Sequence, residues 1–391
     1  MSAPYRILLV VGARPNFMKI APIVRELRRW PDMFAWRLVH TGQHYDAAMS
    51  DVFFGQLDIP RPDVDLGVGS GSHAQQTAAI MMTFEPVLLN WRPDLVVVVG
   101  DVNSTVACAL VASKLAVPVA HVEAGLRSFD RGMPEEINRV LTDQLSDLLF
   151  TTEESAFDNL AREGIAADKI HFVGNVMIDT LLAHREHARA LQVARQHGLT
   201  TDHYAVLTLH RPSNVDDPVV FERLATALAH VARDLPILFP VHPRTRPALA
   251  RSPQAARLIQ EGRLRLVDPL GYLEFLGLVA DSRVVLTDSG GVQEETTVLG
   301  VPCLTLRETT ERPITITSGT NRLVGTDPER ILDGWREIKQ RRRAHAIPKL
   351  WDGQAARRIV EVLRREALAD AERAAPAPGH MLTWQKVAAS S

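Results

Sequence analysis

Residues 95–99 read Leu-Val-Val-Val-Val between Asp94 and Gly100. A strand with one wet face alternates apolar and polar residues, so five apolar residues in a row mark a strand buried on both faces. The same motif recurs along the chain. Short β-branched runs, each followed by a glycine or polar turn and a helix-period segment, are the signature of parallel strands with crossover helices. The runs fall at residues 7–11, 36–41, 95–99, 117–122, 148–151 and 170–173. After a helical stretch rich in Ala, Arg and His they resume at 205–209, 237–241, 264–267, 284–287 and 302–306. The first turn, Gly12 to Pro15, opens a helix carrying Phe17, Ile20, Val24 and Leu27 at helical spacing.

This pattern predicts an α/β chain of two doubly wound, Rossmann-like domains facing across a cleft. At 391 residues and 46% hydrophobic content there is enough chain for two separate cores. The domains are expected at 1–176 and 177–350, with a closing helix at 354–373 and a disordered Ala-Pro-rich tail at 374–391. With 44 basic and 46 acidic side chains, the net charge of −2 supplies no global field for nucleic acid or a membrane surface, so neither is expected as a partner. Cys108 and Cys303 stand alone in apolar contexts, which argues for packing roles in a reducing, cytoplasmic setting. The first apolar run meets Gly12 and Arg14 before a membrane span is complete.

Ligands of open α/β sheets bind at strand mouths, and this chain concentrates its chemistry there. Thr287-Asp-Ser-Gly-Gly-Val-Gln-Glu-Glu295 sets Ser289, Gly290 and Gly291 between a strand and a helix, where free N–H groups and the helix dipole favour a phosphate or diphosphate. Glu294 or Glu295, one turn on, suits a ribose diol; a plain strand-to-helix turn is the alternative. Neither Walker A nor Gly-x-Gly-x-x-Gly follows any strand, so ATP cleavage and hydride transfer lose support. Gly67 to Ser72 follows no strand and reads as a flexible loop near the cleft. Arg14, Lys19, His44, His210, Arg211, His242, Arg244, Arg307 and Arg312 fall at strand mouths or the helix starts beyond them, an electropositive cleft in a nearly neutral chain. Without thiol ligands or a paired His spacing on one helix face, no metal is expected.

The densest stretch is His121 to Arg139. Asp101, Glu123 and Glu135 come from two strand ends and one helix, and carboxylates gathered beside a cleft suit acid and base work. Helix caps and ion pairs to Arg127, Arg131 and Arg139 account for them equally well on spacing alone. The helix beginning at Pro134 is expected to bury Ile137, Leu141 and Leu145, with Glu135 facing away from the core and Arg139 one turn on.

Gly12-Ala-Arg-Pro15 with Lys19, Thr41-Gly-Gln-His44, Gly100-Asp101, His121-Val-Glu-Ala-Gly-Leu-Arg127, Pro134-Glu-Glu with Asn138-Arg139, Val173-Gly-Asn175, His242-Pro243, Thr287 to Glu295 and Thr310-Glu-Arg-Pro313 occur in one order. Together they resemble the non-hydrolysing UDP-N-acetylglucosamine 2-epimerases from Arg6 to about Leu363. The resemblance implies the B-type glycosyltransferase fold, with the last helix returning to the amino-terminal domain. It also implies a UDP-sugar substrate, no cofactor and a homodimer. The implied reaction is reversible C2 epimerisation of UDP-GlcNAc to UDP-ManNAc, through elimination of UDP to a 2-acetamidoglucal and re-addition. By resemblance Asp101, Glu123 and Glu135 form the acid/base set, and Arg14, His210, Ser289, Gly290 and Gly291 the diphosphate set. His210 offsets charge on the departing UDP, Glu295 holds the ribose and Phe275 the uracil. Lys19, His44, Arg139, His242, Arg244 and Arg312 are expected against the substrate. Asn16, where the family usually has Glu, and Pro212-Ser213 in the place of Arg-Glu mark a subfamily acting on another sugar, such as a 2,3-diacetamido uronate, as an alternative. A hydrolysing 2-epimerase and a glycosyltransferase of the same fold are the others.

Overall fold

The computed structural model describes residues 3–43, 55–340 and 345–374. Its strands form two wholly parallel sheets. The first contains β1 (Tyr5–Val11), β2 (Phe34–His40), β3 (Val64–Asp65), β4 (Leu95–Val99), β5 (Val119–Ala124), β6 (Leu148–Thr151) and β7 (Ile170–Phe172), in the order β3-β2-β1-β4-β5-β6-β7. The second contains β8 (Ala205–Thr208), β9 (Ile237–Pro240), β10 (Leu264–Val267), β11 (Val284–Thr287), β12 (Cys303–Thr305) and β13 (Asn321–Leu323), in the order β10-β9-β8-β11-β12-β13. Both are doubly wound, and strand order reverses between β1 and β4 and between β8 and β11. Those two points are where such sheets open a crevice at their carboxyl ends.

The all-apolar run is the buried strand its pattern predicts: every residue of β4 is 1% exposed or less. Edge strands β3 and β13 were not expected, because two or three residues are too few to show a period. The helix Val176–Ala190 joins the halves and packs against both Arg14–Leu27 of the first and Tyr272–Ala280 of the second. Gly174 precedes it at φ +89°, and a Cβ there would collide with the Leu350 carbonyl, so the crossing is built on a residue without a side chain. The helix Ala355–Ala374 lies against Arg14–Leu27, its Ala355 and Ala356 amides donating to Asp179 at 3.1 and 2.7 Å. All but the first residue of the expected disordered tail lies outside the described residues.

The helix Pro134–Leu145 corrects one expectation. Of the three residues expected on the buried side, Leu145 packs partly buried against the core but Ile137 and Leu141 are exposed, whereas Glu136, Asn138, Arg139, Thr142 and Asp143 are buried. Ile137 and Leu141 face outward because the inward face carries the polar groups that brace the cleft; a polar cluster that satisfies itself displaces the usual amphipathic rule. Cys108 and Cys303 are both buried and free. Among the described residues no helix is long and apolar enough to cross a membrane.

Candidate active site

Glu123 owes its position to an irregular strand end. The β5–β6 register shifts between Val122 and Ala124, and Glu123 itself adopts φ +76°, a left-handed conformation that a non-glycine residue rarely takes. A bulge of this kind breaks strand alternation and re-aims one side chain. The result is a 5% exposed carboxylate held by two cations. Lys19 Nζ, from the helix Arg14–Leu27, contacts Oε2, and Arg312 Nη2, from the other half of the molecule, donates to Oε1 at 2.5 Å.

Asp101 follows β4 at Gly100, whose φ of +69° turns the chain sharply out of the sheet. Arg139 grips Asp101 Oδ2 through Nε at 3.0 Å and Nη2 at 2.7 Å, and gives Nη1 to Glu136 at 2.5 Å. Burial would raise the Asp101 pKa, but Arg139 first, then Lys19 and Arg312, outweigh it and hold the carboxyl below its usual range. Glu136 also accepts from the Ser128 amide at 3.0 Å and the Phe129 amide at 2.8 Å, which makes it a brace for the loop before its helix. Glu135 is partly exposed and pairs at 3.2 Å with Arg211 of the opposite half.

Beneath these groups lies a buried support. His121 Nδ1 meets Asp143 at 2.6 Å, its Nε2 meets the Gly100 carbonyl at 2.8 Å, and Arg127 Nη2 donates to the other Asp143 oxygen at 2.7 Å. Asn16 plays a comparable part at the first turn. Its carbonyl accepts from the Gly12 and Ala13 amides at 3.0 and 2.9 Å, and its amide donates to the Val99 carbonyl at 3.0 Å. That donor tie, which a glutamate carboxylate could not make, gives Asn16 a scaffold role at this turn.

The facing wall comes from β8 and β11. Asp288 is fully buried and accepts from the His210 and Arg211 amides at 3.0 and 2.9 Å and from Asn214 Nδ2 at 3.1 Å. His210 Nδ1 lies 2.8 Å from the same carboxylate. A carboxylate can only accept, so the Nδ1 proton is the one that bond fixes. Burial would raise Asp288, yet the His210 ring and these donors keep it low. Ser289 stands at the N-cap of the helix Gly290–Leu299 without spending its hydroxyl on the cap. Four amides at such a helix start have no intrahelical partner, the arrangement that receives a diphosphate. Gly290 is required for packing, since a Cβ there would lie 2.5 Å from both Arg312 Nη1 and Glu311 Oε1.

Arg312 joins the walls. Its Nη2 reaches Glu123, its Nε pairs with Glu294 at 2.8 Å, and its Nη1 contacts Glu311. Glu311 is also bound by Arg307 at 2.7 Å and lies 3.9 Å from Arg139. Burial opposes the Arg312 charge, but Glu294, Glu311, Glu123 and Asp101 hold its pKa well above the ordinary value.

The remaining expected site residues are placed as follows. Arg14 is the first residue of its helix, and His44 lies outside the described residues. The His242 ring centroid is 5.9 Å from that of His210, and its Nδ1 accepts from the Arg244 amide at 3.2 Å. The Arg244 side chain turns to Asp216 at 2.6 Å on the surface. Phe275 packs half-buried against the core behind β11, and Glu295 is buried beside the Tyr272 phenol. The segment 67–72 is tied in by the Val68 and Gly69 amides, which donate to the Thr41 and Gly42 carbonyls at 3.1 and 2.9 Å. Sequence reasoning missed Glu153. It follows β6 directly, is 3% exposed, and burial pushes its pKa up to about 7. Its place at a strand mouth was the available signal. Glu311, read only as part of a motif, proves to be the carboxylate that binds three arginines.

Two facing doubly wound sheets, with carboxylates on one wall and a helix start free of a side-chain cap on the other, have the architecture of a two-domain α/β enzyme with its site in the cleft. A family model described as UDP-N-acetylglucosamine 2-epimerase matches residues 25–364. The UDP-N-acetylglucosamine 2-epimerase of Methanocaldococcus jannaschii is 42% identical over 363 residues, covering 92% of this chain and 98% of the relative. Its crystal structure in complex with UDP-GlcNAc and UDP superposes with a TM-score of 0.86, covering 92% of this chain and 99% of that one. The UDP-2,3-diacetamido-2,3-dideoxy-D-glucuronate 2-epimerase of Pseudomonas aeruginosa is 43% identical over 364 residues, covering 92% and 99%. The chain belongs to the UDP-N-acetylglucosamine 2-epimerase family.

Proposed function

We propose that this chain interconverts UDP-GlcNAc and UDP-ManNAc by eliminating UDP across C1–C2 and adding it back. The observation that carries the reading is Arg312, one guanidinium touching Glu123 on one wall and packed against Gly290 at the helix start on the other. Glu123 and the helix start at Gly290 are thus one side chain apart, which supports a carboxylate serving C2 beside a diphosphate at the anomeric oxygen. The C2 proton is too weakly acidic for simple removal. As the C1–O bond breaks its electrons leave with UDP, a carboxylate takes the C2 proton, and the C2–H electrons form the C1=C2 bond. Glu123, Asp101 and Glu135 are the acid/base set, and the His210–Asp288 pair offsets charge on departing UDP. Closure of the halves excludes water, which would otherwise divert the glucal to free sugar.

Incubation with UDP-GlcNAc in D2O, followed by NMR, tests this. Deuterium at C2 of both UDP-linked epimers is expected, and recovery of undeuterated UDP-GlcNAc from active enzyme refutes it. Accumulation of free ManNAc with UDP would instead assign a hydrolysing reaction. Because the Pseudomonas aeruginosa relative is similar to the same degree, its UDP-diacetamido-glucuronate belongs in the same assay as the second substrate.

A further inference from the structure

The charged cluster around Arg312 has an excess that the proposed chemistry leaves unused. Lys19, Arg139, Arg307 and Arg312 are linked through ion pairs to Asp101, Glu123, Glu136, Glu294 and Glu311, so four cations face five carboxylates. A buried cluster with one surplus anion lowers its energy by keeping a proton on one member. Glu294 is that member by geometry. It is 1% exposed, and its Oε1 is shared between Arg312 Nε at 2.8 Å and Asn175 Nδ2 at 2.9 Å. Its Oε2 is buried without a hydrogen-bond partner, the position a proton would occupy. Burial, with the nearby Glu123 anion, pushes the Glu294 pKa up to about 7, against the pull of Arg312 and Lys19.

Charged groups on the neighbouring elements are otherwise engaged. Asp179 of the helix Val176–Ala190 receives the Ala355 and Ala356 amides, Tyr272 of Tyr272–Ala280 faces Glu295, and Arg322 of β13 pairs with Glu337. Glu294 thus answers mainly to Arg312, Glu123 and Lys19.

We propose that Glu294 is a positioning residue for the epimerisation, setting through Arg312 how firmly the Glu123 carboxylate is held. The inference rests on the reading of Glu123 as a proton-handling group. When Glu294 is protonated, Arg312 is left to Glu123 and Glu311 and holds the Glu123 carboxylate tightly. When Glu294 ionises, it competes for the same guanidinium and the Glu123 carboxylate is freer to reach the substrate. Asn175 caps the helix that joins the two halves, so the same contact ties this balance to the domain crossing.

The test is the pH profile of C2 exchange in D2O for the wild type, Glu294→Gln and Glu294→Asp. The wild-type kcat should step up as pH rises through about 7. The expected step is about threefold. Glu294→Gln should stay on the lower level throughout, with KM for UDP-GlcNAc within about twofold, and Glu294→Asp should restore the step. A step retained in Glu294→Gln overturns the proposal. So does a loss of kcat, KM and thermal stability together that the aspartate does not rescue. If Glu294→Gln does not fold, Asn175→Ser keeps a helix cap but withdraws the donor from Glu294, and the step should move to higher pH; an unmoved step overturns the proposal. Glu123→Gln, run alongside, separates the two readings. Full exchange in that variant removes the base assignment itself, whereas lost exchange there, with the wild-type step retained in Glu294→Gln, removes only the inference.

Discussion

Arg139→Lys is the sharpest probe of how the cleft is held. Arg139 is 2% exposed and its planar fork serves two carboxylates at once, Asp101 through two nitrogens and Glu136 through the third. A lysine is a single compact charge and can keep one of those partners at full strength. Two charge-assisted contacts are then lost at about 1.5 kcal/mol each, or about 3 kcal/mol for the amino-terminal half. For a domain of this size that is a fall in Tm of about 6–12 °C. The pH dependence carries the sign. Asp101 is held below its ordinary value of 3.8, so the pairing stabilises the fold above that value and is lost as pH falls through the depressed pKa. The gap between wild type and Arg139→Lys should therefore be full at neutral pH and shrink in acid below about 3.8. Calorimetry at a series of pH values, with exchange activity measured at neutrality, reads both. A Tm within about 2 °C of the wild type at neutral pH, or a gap that does not narrow in acid, refutes the reasoning.

Glu153→Gln should be stabilising above about pH 7, because a carboxylate whose pKa is raised to about 7 destabilises the fold as it ionises between 4.5 and that value. A gain of about 3 kcal/mol in denaturant unfolding at alkaline pH, absent in acid, is expected; the same gain, or none, at both pH values would show that Glu153 is not destabilised by burial. Gly290→Ala inserts a methyl 2.5 Å from Arg312 Nη1 and Glu311 Oε1. Displacing that network should lower kcat by at least about tenfold and stability by about 1–3 kcal/mol. Wild-type kinetics would mean that Arg312 does not need its observed position.

The alternation of buried runs with helix-period segments was enough to determine two doubly wound parallel sheets, because burial on both faces leaves a local signature in each strand. Strand mouths could be located in the same way, and with them Asp101, Glu123, His210 and Ser289 to Gly291. The two-residue β3 and three-residue β13 escaped because they are shorter than the period that would announce them. On the helix Pro134–Leu145 the pattern misplaces Ile137 and Leu141, since amphipathic pattern assumes a core of hydrocarbon and this helix buries Glu136, Arg139 and Asp143 against other charges. Tertiary structure alone decided which groups the acidic cluster meets. That Glu123 pairs with cations rather than capping a helix depends on a bulge that turns it out of β5 and on Arg312, 189 residues further along the chain. Pairings at that separation leave no periodic trace in the sequence, because electrostatic partners are chosen by distance in the folded chain, where the low dielectric makes them matter.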